Sequence, residues 1–252
     1  MNWHGLELPE AYYRDDAVYI IHGDCRLILP LIPDKSINLV LTDPPYKDDF
    51  IWAYRNIAEQ GARILKDEAL LFAYAGSMYL PTILEETTKY LTWIWLFNLQ
   101  HHQFSRIWHH EIMQTSKPII ALSKGNHAKL NWLRTDLPAE SADKRFHKQW
   151  GQAIGIPCLI ISKVTNETAI ILDPFLGAGT FAVAAKKLGR KCIGIEISEE
   201  YCAIAAKRCS QAVMALPIEP NQKEVKSSEI FFPLLDGIEG KELRGLIENE
   251  HH

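Results

Sequence analysis

The sequence predicts an α/β protein built on a mainly parallel, Rossmann-like sheet with helices on both faces and an antiparallel hairpin at one edge. Three observations carry that expectation. Short apolar, β-branched runs alternate with helix-length amphipathic stretches. Several of these runs contain no charge, as strands buried on both faces require. A glycine-containing turn also joins one such run to a helix, in a β-α-β arrangement. At 252 residues, 47% hydrophobic and 23% charged, the chain suits one large domain or a domain with an insertion.

Residues 1–16 are polar and form an entry segment. The first strand is Val18-Tyr19-Ile20-Ile21, closed by His22-Gly23-Asp24, and a short helical stretch from Asp24 to Leu29 ends near Pro30 and Pro33. A second strand, Leu39-Val40-Leu41-Thr42, follows. After the loop Lys47-Asp48-Asp49, a helix is expected from about Phe50 to Leu65, with Ile57, Ile64 and Leu65 on its buried side. Leu70-Leu71-Phe72-Ala73-Tyr74 reads as a buried strand, and a helix runs through Ile83-Leu84-Glu85-Glu86. Trp93-Ile94-Trp95-Leu96-Phe97 and Ile119-Ile120-Ala121-Leu122 form a strand pair, whose tryptophans are expected in the core. Lys124-Gly125-Asn126 makes a turn, and the polar stretch from there to Trp150 is a long functional loop.

Beyond it, Ala153 to Lys163 is helical despite Gly155 and Pro157. The β-α-β unit consists of strand Ala169–Leu172, turn Asp173–Gly179, helix Thr180–Leu188 and strand Lys191–Ile195. Ser198 caps a final helix, Glu199 to about Ala212, with acids in its first turn. From residue 218 onward eight acids face four bases, which marks 217–252 as a peripheral acidic tail.

Composition narrows the function classes. No window approaches 18 uncharged apolar residues, and Met1-Asn2-Trp3-His4-Gly5 lacks the layout of a signal peptide, so a soluble cytoplasmic protein is expected. The five cysteines, Cys25, Cys158, Cys192, Cys202 and Cys209, contain no C-x-x-C pair and read as inert thiols in a reducing compartment. Formal net charge is −4, yet residues 98–150 hold eight Lys or Arg against four acids. That local surplus of four leaves −8 for the remainder. Six of the ten histidines and three tryptophans lie in the same window. A basic, aromatic-interleaved segment in an acidic protein suits a polyanion-binding insertion; a plain solvated face would have the same composition.

The most informative stretch is the end of the second strand, Thr42-Asp43-Pro44-Pro45-Tyr46. Neither proline has an N–H, and each fixes φ near −65°, so the chain leaves the strand presenting acceptors only. The Asp43 carboxylate and Pro44 carbonyl can take both hydrogens of a planar amino group, while Tyr46 offers a face to a flat ring. Such a grip on a nucleobase amino group helps tip its delocalised lone pair out of plane, which is positional and electrostatic catalysis. A Pro-Pro turn with an Asp cap fits the same residues on their own.

The second motif is Asp173-Pro174-Phe175-Leu176-Gly177-Ala178-Gly179-Thr180, where glycines let backbone approach a ligand closely. Glu196, at the end of the next strand, is placed to accept from two ribose hydroxyls. Together they specify an adenosine-containing ligand. Gly177 to Ala182 satisfies the loose G-x-G-x-x-A pattern, so a nicotinamide (NAD) oxidoreductase stays open. A Walker-type loop is excluded because no Lys-Ser/Thr follows the glycines.

The two motifs together resemble the S-adenosylmethionine-dependent DNA amino-methyltransferases, which methylate adenine N6 or cytosine N4. The resemblance spans most of residues 18–210. Asp43, Pro44, Pro45 and Tyr46 match the family's catalytic Asp-Pro-Pro-Tyr tetrad, and Phe175–Thr180 its Phe-x-Gly-x-Gly-Thr cofactor turn. The run Leu188–Glu196, with Tyr201 and Arg208, looks like the family as well. Catalytic motif first and cofactor motif second is the order of the circularly permuted β group, whose recognition segment lies between.

The resemblance implies a methyltransferase domain over 1–216, with a catalytic region at about 17–97, a target-recognition insertion at about 98–150 and a cofactor region at about 151–212. It implies that Asp173, Pro174, Phe175, Gly177, Gly179 and Thr180 line the methionine end of S-adenosyl-L-methionine. Glu196, with Ile197 beside it, takes the ribose, and Asp24, with Cys25 beside it, meets the adenine. His147-Lys148-Gln149-Trp150-Gly151-Gln152 stands where the family has a His-Pro-x-Gln-Lys-Pro motif, and departs from it. Lys117, Lys124, Arg134, Lys144 and Arg145 are candidate phosphate contacts. The implied partner is double-stranded DNA, with a homodimer common among relatives, and neither a metal nor a membrane is required. Asp at the head of the tetrad points to adenine N6. A catalytically silent DNA-binding relative, or the modification partner of a restriction nuclease, remains a further reading.

Overall fold

A five-residue strand, β4 (Val18–His22), is the first parallel strand of the main sheet in this computed structural model, after a separate ribbon of β1 (Asn2–Trp3) with β2 (Leu6–Glu7) and the short edge strand β3 (Tyr13–Arg14). The structure describes residues 1–107, 111–126, 128–138 and 153–212, with backbone alone at 102–105. Next come α1 (Cys25–Ile28), a 3-10 turn at Leu29–Leu31, β5 (Ile37–Thr42), α2 (Ile51–Ile64), β6 (Leu65–Tyr74) and α3 (Leu80–Thr87). A hairpin of β7 (Thr92–Ile107) and β8 (Ile112–Ser123) is followed by β9 (Asp136–Leu137) and α4 (Gly155–Val164). The last elements are β10 (Ile170–Asp173), α5 (Thr180–Lys187), β11 (Lys191–Glu196) and α6 (Glu199–Gln211).

The strand order is β3-β4-β11-β10-β5-β6-β8-β7-β9. Strands β4, β11, β10, β5 and β6 run parallel; β3 and the β7–β8 hairpin add antiparallel edges. Alternate residues feed two cores. Val18, Ile20, Leu39, Leu41, Phe72 and Ile171 pack with α4, α5 and α6. Tyr19, Ile21, Val40, Leu71, Leu172 and Ile193 pack with α1, α2 and α3 on the other face. Helices therefore cover both sides, as the uncharged strand runs predict.

The order also fixes where a ligand fits. From β5 the chain crosses to β6 on one side, by way of α2; from β10 it crosses to β11 on the other, by way of α5. These two strands are neighbours, with Leu39 paired to Ile171 and Val40 to Leu172. Their connections leave on opposite faces, so a crevice opens between the carboxyl ends of β5 and β10. Ligands of open α/β sheets bind at such a topological switch point.

Local chemistry sets the boundaries. Ser198 accepts from Tyr201 N at 3.4 Å and Asp24 from Arg26 N at 2.9 Å, each capping the helix that follows. Pro157 falls in the first turn of α4, where a missing N–H costs nothing.

Two expectations are corrected. The hairpin strands run on to Ile107 and start at Ile112, so they extend into the segment read as insertion; at the far end Ile112 and Met113 are exposed, outside the packed core. Trp93 and Trp95, expected in the core, are 38% and 53% exposed. Neither joins the packed clusters on the two faces of the sheet, which take Ile94, Leu96 and Phe97 from β7, and a register shift separates them. The predicted tail, 217–252, lies outside the described residues.

Candidate active site

The two motifs meet at the switch point. Thr42, the last residue of β5, donates its hydroxyl to Asp173 Oδ1 at the end of β10, at 2.8 Å and fully buried. The Phe175 N–H donates to the same oxygen at 3.1 Å. Burial pushes the Asp173 carboxyl up to about 8, against the opposing pull of those two donors, and the negative charges of Asp43 and Glu196 add to the rise. Asp43 begins the loop immediately beyond Thr42. Pro44 is buried and Pro45 exposed, so the tetrad is anchored at one residue and open at the next.

Tyr46 is held by a close backbone approach: a Cβ built on Gly76 falls 3.0 Å from Tyr46 Cβ. Its ring packs on the face of the sheet that carries α5. The Tyr46 hydroxyl is buried and makes no hydrogen bond among the described residues.

Lys117 belongs to this cluster, which its position in the sequence did not reveal. Strand β8 pairs antiparallel with β6, Ile119 facing Tyr74, so Lys117 stands just past the end of β6 on the edge of the sheet that carries Asp43. Its Nζ donates to Asp43 Oδ2 at 3.1 Å and lies 4.5 Å from the Tyr46 ring centroid and 4.7 Å from that of Tyr74. Both side chains of the ion pair are 16% exposed. Tyr74 is itself stacked on Phe181 of α5, at 5.6 Å between centroids. The expected acceptor-only tip thus contains a cation.

Across the crevice the glycine turn has the backbone that its sequence demands. Gly177 and Gly179 adopt φ of +51° and +79°, a region costly to residues with a Cβ. Gly179 also backs onto α6, where an added Cβ would come within 2.9 Å of Ala205 Cβ. At Gly177 an added Cβ would meet open space, so that side of the turn is uncovered. Buried Arg208 braces the turn from α6 by donating to Ala178 O at 2.5 Å and Thr180 Oγ1 at 3.2 Å. Glu196 closes it, with Oε2 accepting from Gly177 N at 2.8 Å and Oε1 from Ser198 N at 2.9 Å. Each carboxylate oxygen keeps acceptor capacity for a hydroxyl.

Other predicted positions fall nearby or elsewhere. Phe175 is half-buried against Trp52, at 6.3 Å between centroids, and Trp52 lies under the Arg26 guanidinium at 4.7 Å. Pro174 is buried and Ile197 is 66% exposed at the same edge. Asp24 points both carboxylate oxygens at Arg26, which holds its pKa below the usual carboxylate range. Cys25 turns into the core, and burial, with the charge of Asp24, pushes its thiol up to about 12.

The predicted phosphate contacts sit in different settings. Lys117 is turned inward, and Lys124 donates to Arg63 O at 3.1 Å and Leu65 O at 2.8 Å, closing the end of α2. Arg134 remains on the surface, paired with Asp136 at 2.8 Å. Lys144, Arg145 and the segment His147–Gln152 lie outside the described residues.

Comparison with known proteins decides the family. The N6_N4_Mtase model, described as DNA methylase, matches residues 84–207. DNA adenine methyltransferase YhdJ of Escherichia coli (strain K12) is 26% identical over 255 residues, covering 79% of this chain and 85% of the relative. The chain belongs to the S-adenosylmethionine-dependent DNA amino-methyltransferases. The fold agrees. The PvuII cytosine-N4-specific DNA methyltransferase superposes with a TM-score of 0.67 at 18% identity, covering 76% of this chain and 86% of that one. A putative DNA modification methylase from Thermus thermophilus was solved with S-adenosyl-L-methionine. It gives 0.64 at 18% identity, covering 78% and 95%. This DNA amino-methyltransferase is an enzyme that uses S-adenosylmethionine. Among the described residues, no helix is long and apolar enough to cross a membrane.

Proposed function

We propose that this methyltransferase modifies adenine N6 in duplex DNA, at the crevice between the ends of β5 and β10. The observation that carries the reading is the buried Thr42–Asp173 hydrogen bond, which ties the acceptor-bearing strand end to the glycine-bearing one. An N6 target is supported by the Asp that heads the tetrad and by the likeness to YhdJ, a DNA adenine methyltransferase. The likeness to the PvuII enzyme supports cytosine N4 as the second reading.

The roles follow from the residues. Gly177 leaves the turn open to a ligand while Gly179 lets it pack on α6, Glu196 accepts from ribose hydroxyls, and Asp173 with Phe175 lines the side toward Asp43. Bound there, S-adenosylmethionine supplies an electrophilic methyl group on sulfur. Asp43 and the Pro44 carbonyl accept the two amino hydrogens of the target base and hold its lone pair toward that site. Tyr46 stacks on the base. Leaving the duplex costs the base a few kcal/mol, and stacking returns on the order of 1–3 kcal/mol.

Arg134 keeps its assignment as a phosphate contact on the surface, where Asp136 is its partner in the free protein, and Lys144 and Arg145 keep theirs from the sequence. The homodimer implied by the family resemblance is tested by sedimentation of the purified protein. Mass spectrometry of nucleosides from DNA incubated with enzyme and S-adenosylmethionine tests the target. N6-methyladenine is the expected product; N4-methylcytosine in its place would overturn the base assignment.

A further inference from the structure

We propose that Lys117 is the resident occupant of the target-base pocket, a cation that takes the base's contacts in the free enzyme and must leave before methyl transfer. The proposal rests on the reading of Asp43 and Tyr46 given above. That reading assigns two contacts to the base: the Asp43 carboxylate for the amino group and the Tyr46 face for the ring. One ammonium meets both, at 3.1 Å from Asp43 Oδ2 and 4.5 Å from the Tyr46 centroid.

The chemistry of the two occupants is alike. An ammonium has three N–H donors and no acceptor, as an amino group in the same place has two donors. Its charge is attracted to an aromatic face where a base would stack. Tyr74, packed on Phe181, adds a second ring at 4.7 Å. The pocket is thereby kept from collapsing onto Asp43, whose charge is compensated at 16% exposure. An amino group cannot take Asp43 Oδ2 while the ammonium holds it, so lysine and base compete.

The anchor of Lys117 favours displacement over permanent residence. It sits on β8 next to Pro118, whose carbonyl accepts from Ala75 N at 2.9 Å, so the backbone is fixed to β6 while the four-carbon stem is free to swing. The direction of swing open to it is outward from the carboxyl edge of the sheet, the side from which DNA must deliver a base.

The test is steady-state methylation of genomic DNA with labelled S-adenosylmethionine by wild type, Lys117→Met and Lys117→Arg, each first shown by calorimetry to bind S-adenosylmethionine. Methionine keeps the stem and removes the competing charge; arginine keeps a cation and enlarges it. The expected result is a KM for DNA lowered roughly three- to tenfold by Lys117→Met, the size of releasing one partly exposed ion pair, and raised by Lys117→Arg. A loss of kcat in Lys117→Met with KM unmoved would place Lys117 in the chemical step and overturn the proposal. Equal KM values for all three proteins would overturn it as well. Wild-type enzyme that binds S-adenosylmethionine but labels no DNA would instead sink the underlying reading.

Discussion

Replacing Asp173 with Asn isolates the electrostatic cost of tying the two strand ends together. The side chain is 1% exposed and its carboxyl is held near 8, against about 3.9 in an unfolded chain. Between those values the unfolded state is ionised while the folded state keeps the proton. The folded protein then binds more protons, so wild-type stability falls as pH rises from about 4 to about 8 and levels off above. Asparagine has no proton to lose and still offers Oδ1 to the Thr42 hydroxyl and the Phe175 N–H.

Each pH unit in that window is worth at most about 1.4 kcal/mol, which sets a ceiling of about 3 kcal/mol on the change between pH 5 and pH 7. The assay is urea unfolding of both proteins, free of DNA and cofactor, at pH 5, 6 and 7. The stability of Asp173→Asn relative to wild type should increase steadily across the series. A difference that stays flat or shrinks with pH would refute the assignment of a buried neutral carboxyl.

Two further substitutions separate packing from DNA contact. Gly179→Ala forces φ of +79° on a residue with a Cβ and drives it into Ala205. Strain and overpacking together should cost about 2–4 kcal/mol, seen as a lower Tm and weaker S-adenosylmethionine binding; an unchanged Tm would contradict the close approach of turn and helix. Lys124→Met removes the donor to Arg63 O and Leu65 O and should cost about 1 kcal/mol of stability. It should leave the salt dependence of DNA binding unmoved, whereas a slope reduced by about one would restore it as a phosphate contact.

The site was legible in the sequence where chemistry and local conformation coincide. Asp43–Tyr46 could be placed because prolines after an uncharged run end a buried strand with acceptors. The glycine turn could be placed because Gly177 and Gly179 open a helix directly after one. Ser198 announced its helix by its side chain alone. The adjacency of the two motifs is a matter of strand order, and the structure supplies it by pairing β5 with β10.

Lys117 was not legible in the same way, because its contact with Asp43 spans 74 residues and depends on the register of β8 against β6. As a lone lysine in a basic segment it resembled the other cations. The partners of Lys124 were no more legible, because they are backbone carbonyls at the end of α2, which no side-chain pattern signals. Trp93 and Trp95 show a different limit. Strand propensity places them in a sheet, while the packed clusters on its two faces take Ile94, Leu96 and Phe97 and leave them out.

The central claim is that Asp43 acts on the base from a site separate from, and adjacent to, the one that holds the cofactor. It is tested most directly by Asp43→Ala, with methyl transfer to DNA and S-adenosylmethionine binding measured on the same preparation. The account predicts transfer reduced to background while the Kd for S-adenosylmethionine stays within about threefold of wild type, less than 1 kcal/mol. Sustained transfer by the variant would contradict it.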